Sequence, residues 1–265
     1  MTVRAVGHPV RVATPIRIAA HRGVHHDAPE NSLAAFEAAV RLGADAIEFD
    51  VRLSRDLVPM VTHDVELGRS LGSDGLVFQR TAAELRSIPL RGADAGSPQL
   101  MPTLDDVLAS FAGRIGLEIE LKDPVPELIP AVASRLDRHR AHWGSIEVTS
   151  FEHTILMHLA RAVAGPLRTC VLVQPAEPWM TPPIVAYVAG GKARLAGASA
   201  AHLHPTQLDP EAVATLRAAG VDVHAWAVND EATFERVVRL GITQCDTDVP
   251  ERMLELRTRL AAGAV

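Results

Sequence analysis

The sequence predicts an α/β fold of the closed kind, a (β/α)8 TIM-type barrel, and three observations predict it. Short β-branched or apolar runs alternate with amphipathic helical runs along almost the whole chain, the pattern of parallel strands joined by crossover helices. The strand-like runs reduce to eight once one hairpin is recognised. The length of 265 residues suits one barrel of about 250 residues.

The elements follow in order. Strand-like runs occupy 16–20 (IRIAA), 46–53, 57–63, 116–121, 145–150, 168–173, 198–203, 222–228 and 242–247. Only Ser54, Arg55 and Asp56 separate the second run from the third. Parallel neighbours need a crossover of about a dozen residues, so these two form an antiparallel hairpin. A turn over Ser54 to Leu57 pairs Leu53 with Val58 and sets Glu48 opposite His63. Eight strands then remain. Helix starts are predicted at Asn31-Ser32, at Thr103 with Asp106, and at Asp209 ahead of Pro210 and Glu211, each supplying an acceptor to first-turn N–H groups. Gly43, Gly165, Gly220 and Gly241 mark helix ends. The rival architecture, an open doubly wound sheet, lacks its G-x-G-x-x-G at the first helix. Residues 65–100 are too long for an ordinary strand-to-helix loop. They hold one short helical signal, TAAELRS, and are read as a small insertion at the catalytic rim of a single 1–265 domain.

Composition narrows the function. The net charge of −6 shows no basic stripe and argues against nucleic acid. No run reaches the roughly 18 apolar residues of a membrane span, so stable membrane insertion is not expected. The N-terminus lacks an apolar segment before a cleavage site, so a cytoplasmic protein is expected. Cys170 and Cys245 form no disulfide or metal spacing and are read as free thiols. Oligomeric state is not legible.

Barrel enzymes carry their reactive groups at the C-terminal ends of strands. Those ends hold His21-Arg22-Gly23, then Glu48 and Asp50, then His63-Asp64, then Glu118, Glu120 and Lys122. Period-2 geometry puts Glu48 with Asp50, and Glu118 with Glu120, on one face. Carboxylates converging there resist ionisation unless a cation sits among them. All-oxygen ligation points to one hard divalent ion, Mg²⁺ or Ca²⁺. His202 and His204 alternate like zinc ligands but show no partner cluster in the sequence, and His25-His26 read as solvated. Glu30 and Asn31 read as braces for the first-strand loop.

His21-Arg22-Gly23, Pro29-Glu30-Asn31-Ser32, Glu48-Phe49-Asp50, His63-Asp64, Ile119-Glu120-Leu121-Lys122 and Trp226-Ala227-Val228-Asn229 resemble, in order and spacing, the signature blocks of glycerophosphodiester phosphodiesterases. The resemblance extends from about residue 16 to residue 250. It implies a metal held by Glu48, Asp50 and Glu120, with His21 and His63 as general acid and base. It also implies a small-molecule phosphodiester substrate, hydrolysed to glycerol 3-phosphate and an alcohol. Arg22 and Lys122 then hold phosphate oxygens, and Trp226 forms a wall for the substrate. The sequence departs from the family at Glu118, where Asn is common, at the Arg55-Asp56-Leu57 turn, at Ala227, and in the last block, Cys245-Asp246-Thr247-Asp248. Two alternatives share the fold: a lysophospholipase D-type enzyme, which needs an apolar lip that 65–100 looks too polar to supply, and a catalytically silent barrel binding a phosphorylated ligand. An amidohydrolase-type barrel wants His-x-His on the first strand, where this chain has His-Arg-Gly.

Overall fold

The computed structural model describes residues 15–94 and 96–262. The N-terminal stretch read as lacking a leader lies, up to residue 14, outside the described residues.

Nine strands are present among them: β1 Arg17–His21, β2 Ala46–Leu53, β3 Pro59–Val61, β4 Gly116–Leu121, β5 Ile146–Ser150, β6 Arg168–Leu172, β7 Ala200–Leu203, β8 Asp222–Ala225 and β9 Gln244–Thr247. All except β3 are parallel, and β1 pairs with both β2 and β9, closing an eight-stranded barrel. The helices are α1 Leu33–Leu42, α2 Leu67–Leu71, α3 Ala82–Leu85, α4 Leu104–Phe111, α5 Leu128–Arg138, α6 His153–Ala162, α7 Pro182–Ala196, α8 Pro210–Ala218, α9 Glu231–Arg239 and α10 Pro250–Ala261.

Local chemistry explains most boundaries. Ser32 accepts from the Ala35 N–H at the start of α1, Thr103 and Asp106 make a reciprocal capping box on α4, and Asp209 accepts from Glu211 N–H on α8. Gly43 ends α1 in the left-handed region, taking up the carbonyls of Ala39 and Val40. Gly165 does not end α6. That helix stops at Val163, which turns extended before the glycine is reached, as a β-branched side chain favours.

Ile18, Ile47, Phe49, Ile119, Val148, Val171, Leu203 and Val223 alternate along their strands and pack under the helices with Phe36, Phe111, Leu136, Leu159 and Phe234. This belt is the main core. The opposite, inward side chains are polar to an unusual degree: Glu48, Glu118, Glu147, Cys170, His202, His224 and Asp246 are all buried. Barrels of this type usually fill that volume with branched apolar side chains.

The hairpin register differs from the expected one. Leu53 pairs with Pro59 and Val51 with Val61, one residue beyond the predicted pairing. The physical reason is the turn. Ser54 Oγ accepts from Val58 N–H at 2.9 Å and Leu57 adopts a left-handed φ of 60°, so Val58 closes the loop and does not begin the ladder. Thr62 N–H still reaches Asp50 O at 3.0 Å. The chain then leaves the sheet, so β3 is shorter than predicted, as is β8, which stops before Trp226.

Segment 65–100 folds around α2, a 3-10 turn at Val77–Gln79 and α3. Its Leu67, Leu71, Val77, Leu85 and Leu90 pack with Met60 and Met101 in a second small core. Phe78 and Leu100 of the segment stay exposed.

Candidate active site

Strand register assembles three carboxylates. β2 and β4 run parallel with Asp50 beside Glu120 and Glu48 beside Glu118. One oxygen from each of Glu48, Asp50 and Glu120 lies within 4.8 Å of the others. All three are buried. Burial, then Asp50 and Glu120, pushes the Glu48 carboxyl well above its ordinary range. Burial raises Glu120 to about 6 against the pull of Lys122. Asp50 is the exception: burial is outweighed by Lys122, Arg22 and the two histidines His63 and His21, bringing it down to about 2. Asn31 braces Asp50, donating to Oδ2 at 2.8 Å and accepting from its N–H at 3.3 Å.

The fit to a hard cation rests on donors. Glu120 Oε1 and Asp50 Oδ1 are buried without a hydrogen bond, although the Lys122 ammonium lies 3.0 Å from the latter. Three buried carboxylates, two of them with an oxygen lacking a hydrogen bond, offer the oxygen donors that a hard divalent cation takes.

Both signature histidines border this set. His21 ends β1 with Nδ1 2.6 Å from Asp248 Oδ1 and Nε2 3.8 Å from Glu48 Oε2. Asn229 holds Asp248 through its amide at 2.6 Å and accepts the Asp248 N–H at 2.9 Å. These contacts, led by the one to His21, overcome burial and depress the Asp248 carboxyl. His63 Nδ1 lies 2.6 Å from Asp64 Oδ1. Asp64 is depressed chiefly by Arg69, and Arg69 also reaches Glu30 at 2.7 Å. Burial is the main cause that lowers the His63 pKa, aided by Lys122 and Arg22 and opposed by Asp50. Arg52 Nε donates to His63 O at 2.7 Å, and Asp123 pairs with Arg52 while accepting from Leu53 N–H at 2.7 Å.

Arg22 takes a left-handed φ of 57°, an uncommon conformation for a residue other than glycine, of the kind that gathers at functional sites. Its N–H thereby reaches Glu48 Oε2 at 3.1 Å, and its guanidinium lies 3.2 Å from Glu30 and 3.3 Å from Asp50. Lys122 Nζ sits 2.6 Å from Glu120 Oε2. Trp226 stacks edge-on against Phe151 at 5.4 Å and His204 at 5.5 Å, and Lys122 lies 6.0 Å from the Phe151 ring centre. Of the eight sequence-predicted site residues, His21, Glu48, Asp50 and Glu120 lie on β1, β2 and β4, Arg22, Lys122 and Trp226 directly follow β1, β4 and β8, and His63 follows the β3 return.

The model of the glycerophosphoryl diester phosphodiesterase family matches residues 21–252. The chain belongs to that family. A glycerophosphodiester phosphodiesterase of Caldanaerobacter subterraneus subsp. tengcongensis is 29% identical over 252 residues, covering 90% of this chain and 96% of the relative. The crystal structure of a glycerophosphodiester phosphodiesterase from Agrobacterium tumefaciens is 27% identical with a TM-score of 0.74, covering 91% of this chain and 99% of that one. An Oleispira antarctica phosphodiesterase, solved with the product sn-glycerol-3-phosphate, is 25% identical with a TM-score of 0.78, covering 91% and 96%.

Within this phosphodiesterase fold, two expectations need correction. Glu118 is not among the mouth carboxylates. It faces the interior one layer lower, where Gln244 donates to its Oε2 at 2.6 Å and His202 Nε2 lies 3.3 Å from its Oε1. His202 does have a partner cluster, supplied one residue per strand. Sequence reasoning also missed Asp248, Asn229, Asp123 and Arg69 as supports. A signal existed for Asp248: barrel closure places β9 beside β1, and Asp248 follows β9 just as Arg22 follows β1.

Proposed function

We propose that this chain hydrolyses glycerophosphodiesters to glycerol 3-phosphate and an alcohol. The reading is supported above all by two carboxylate-oriented histidines flanking a buried carboxylate trio at the barrel mouth. Glu48, Asp50 and Glu120 would hold one divalent cation, Mg²⁺ or Ca²⁺. Such an ion, when bound, supplies neutralisation of phosphate oxygens. His63, neutral near pH 7 and bonded through Nδ1 to Asp64, presents Nε2 as the base that takes the proton of the attacking hydroxyl. His21, held by Asp248 through Nδ1, presents Nε2 to protonate the departing alcohol oxygen. The P–O bond to that alcohol breaks as the new P–O bond forms. The same proton transfers serve attack by water or by the substrate's own hydroxyl. Arg22 and Lys122 leave their carboxylate partners in part to hold non-bridging oxygens, and Trp226 with Phe151 walls the head group.

A second reading, lysophospholipid hydrolysis, has one observation in its favour. An apolar groove outside the barrel is lined by Pro124, Val125, Pro126, Ile129, Pro130 and Ile155, beginning two residues after Lys122. Glycerol 3-phosphate release from glycerophosphocholine and glycerophosphoethanolamine, run beside lysophosphatidylcholine, separates the readings. Turnover of the soluble diesters is expected. Turnover of the lysolipid alone, lost in Ile129→Glu, moves the substrate to the lipid.

A further inference from the structure

Below the mouth, the barrel interior carries a second set of ligating side chains that phosphodiester hydrolysis does not use. Glu147 on β5, Cys170 on β6, His202 on β7 and His224 on β8 converge on one spot, each at most 4% exposed. One donor atom from each lies within 4.8 Å of the rest. Glu118 touches this set and precedes Glu120 by two residues on β4, a rise of roughly 7 Å at the usual strand spacing.

The donor spacings suit a tetrahedral ion. His224 Nδ1 lies 2.8 Å from His202 Nε2, 3.4 Å from Glu147 Oε1 and 3.9 Å from Cys170 Sγ. His202 Nε2 lies 3.9 Å from Glu147 Oε1. Zinc bonds of about 2.0–2.3 Å imply donor–donor edges of about 3.3–3.6 Å, inside the observed spread.

The partners point the same way. Arg168 Nη2 donates to Glu147 Oε2 at 3.1 Å, leaving Oε1 buried without a hydrogen bond and aimed at both imidazoles. The far nitrogen of each ring faces a carboxylate: His202 Nδ1 lies 3.1 Å from Asp246 Oδ2, and His224 Nε2 4.0 Å from Asp222 Oδ2. Carboxylates behind histidines are the usual outer support of a zinc site. Glu118 Oε1, likewise unbonded and 3.3 Å from His202 Nε2, is a further oxygen donor in reach. Two neutral imidazoles, a thiolate and a carboxylate around Zn²⁺ carry no net charge, which favours burial. A small cleft lined by Arg17, Glu118, Glu147, Arg168 and Gln244 reaches Glu147, one of the four donors.

We infer that Glu147, Cys170, His202 and His224 form a closed structural zinc site inside the barrel, separate from the hard-cation site at the mouth. Loading it exchanges the Cys170 thiol proton for the metal, the proton leaving to solvent. A purely hydrogen-bonded cluster of the same residues would bind no thiophilic ion.

The test uses the full chain, stripped by chelator and titrated with Co²⁺. The expected result is uptake of about one thiolate-bound equivalent, with tetrahedral d–d bands and a sulfur-to-cobalt charge-transfer band, both bleached by Zn²⁺. The charge-transfer band disappears in Cys170→Ser, persists in Cys245→Ser, and persists in Glu120→Gln at the mouth. Asp246→Asn weakens zinc by about 10- to 100-fold. A folded wild-type chain giving no charge-transfer band overturns the proposal, whether or not Cys170→Ser folds. A band that survives in folded Cys170→Ser overturns it as well.

Discussion

His21 Nδ1 lies 2.6 Å from Asp248 Oδ1, joining the first barrel strand to the residue just past the last, 227 positions apart in sequence. The contact fixes which imidazole nitrogen faces the mouth, and Asn229 fixes the carboxylate in turn. A carboxylate that orients a histidine acts on turnover more than on substrate affinity. Asp248→Ala is therefore expected to lower kcat by roughly 100-fold with KM changed only a few-fold. Asp248→Asn, whose one amide oxygen cannot serve both His21 and the Asn229 amide, is expected to restore little of the loss. Steady-state kinetics on glycerophosphocholine reads both.

Proton transfer itself is assigned to His21 and His63. Each alanine variant is expected to lose about 10²- to 10⁴-fold in kcat. Undiminished turnover in either, measured on folded protein, contradicts that residue's role.

His63 sets the acid side of the pH profile. Its pKa is lowered from 6.5, chiefly by burial, and the base works only when neutral. Activity is thus retained on acidification past 6.5 and falls as pH drops through the depressed value. At saturating cation, the acid limb of kcat/KM is expected below pH 6.5. A limb at or above that value means a different base.

The mouth carboxylates link stability to cation and pH. Glu120 is raised from 4.5 to about 6. A raised carboxyl stabilises the fold below its unfolded value, and that contribution is lost as pH rises through the folded one. In metal-free protein this amounts to about 2 kcal/mol between about pH 4.5 and 6, and Glu48 acts in the same direction. A divalent cation should therefore raise the melting temperature more near pH 7 than near pH 5. An equal rise at both, followed by thermal unfolding, removes these carboxylates from the site.

Gly23 holds the loop that carries His21 and Arg22. It sits at φ +83°, and a Cβ there would meet the Ala35 carbonyl carbon at 2.7 Å. Gly43 has the same φ with nothing within 4 Å. Gly43→Ala is expected to cost about 1 kcal/mol for its left-handed backbone, and Gly23→Ala at least about 2 kcal/mol because the clash adds to it. Urea unfolding compares them, and equal losses would falsify the packing argument.

Much of this was legible in the sequence, for reasons that lie in local chemistry. Period-2 alternation in AIEFDVRL and GLEIEL separates core from interior face, and Ser32, Thr103 and Asp209 announce their helices through the groups they satisfy. The mouth residues cluster because His21, Glu48, Asp50 and Glu120 sit on neighbouring parallel strands in register, and Arg22 and Lys122 directly follow two of those strands. What stayed hidden depends on closure or on single backbone angles. The hairpin register turned on Leu57 entering the left-handed region. Asp248 meets His21 only because β9 closes on β1. Glu147, Cys170, His202 and His224 contribute one residue from each of four strands, so no local spacing announces them.

The most direct test is glycerol 3-phosphate release from glycerophosphocholine as Mg²⁺ or Ca²⁺ is returned to chelator-treated protein. The account predicts no release without cation, recovery that saturates as cation is added, and loss of that recovery in Glu120→Gln. Full release in the presence of chelator, or recovery unchanged in folded Glu120→Gln, would contradict it.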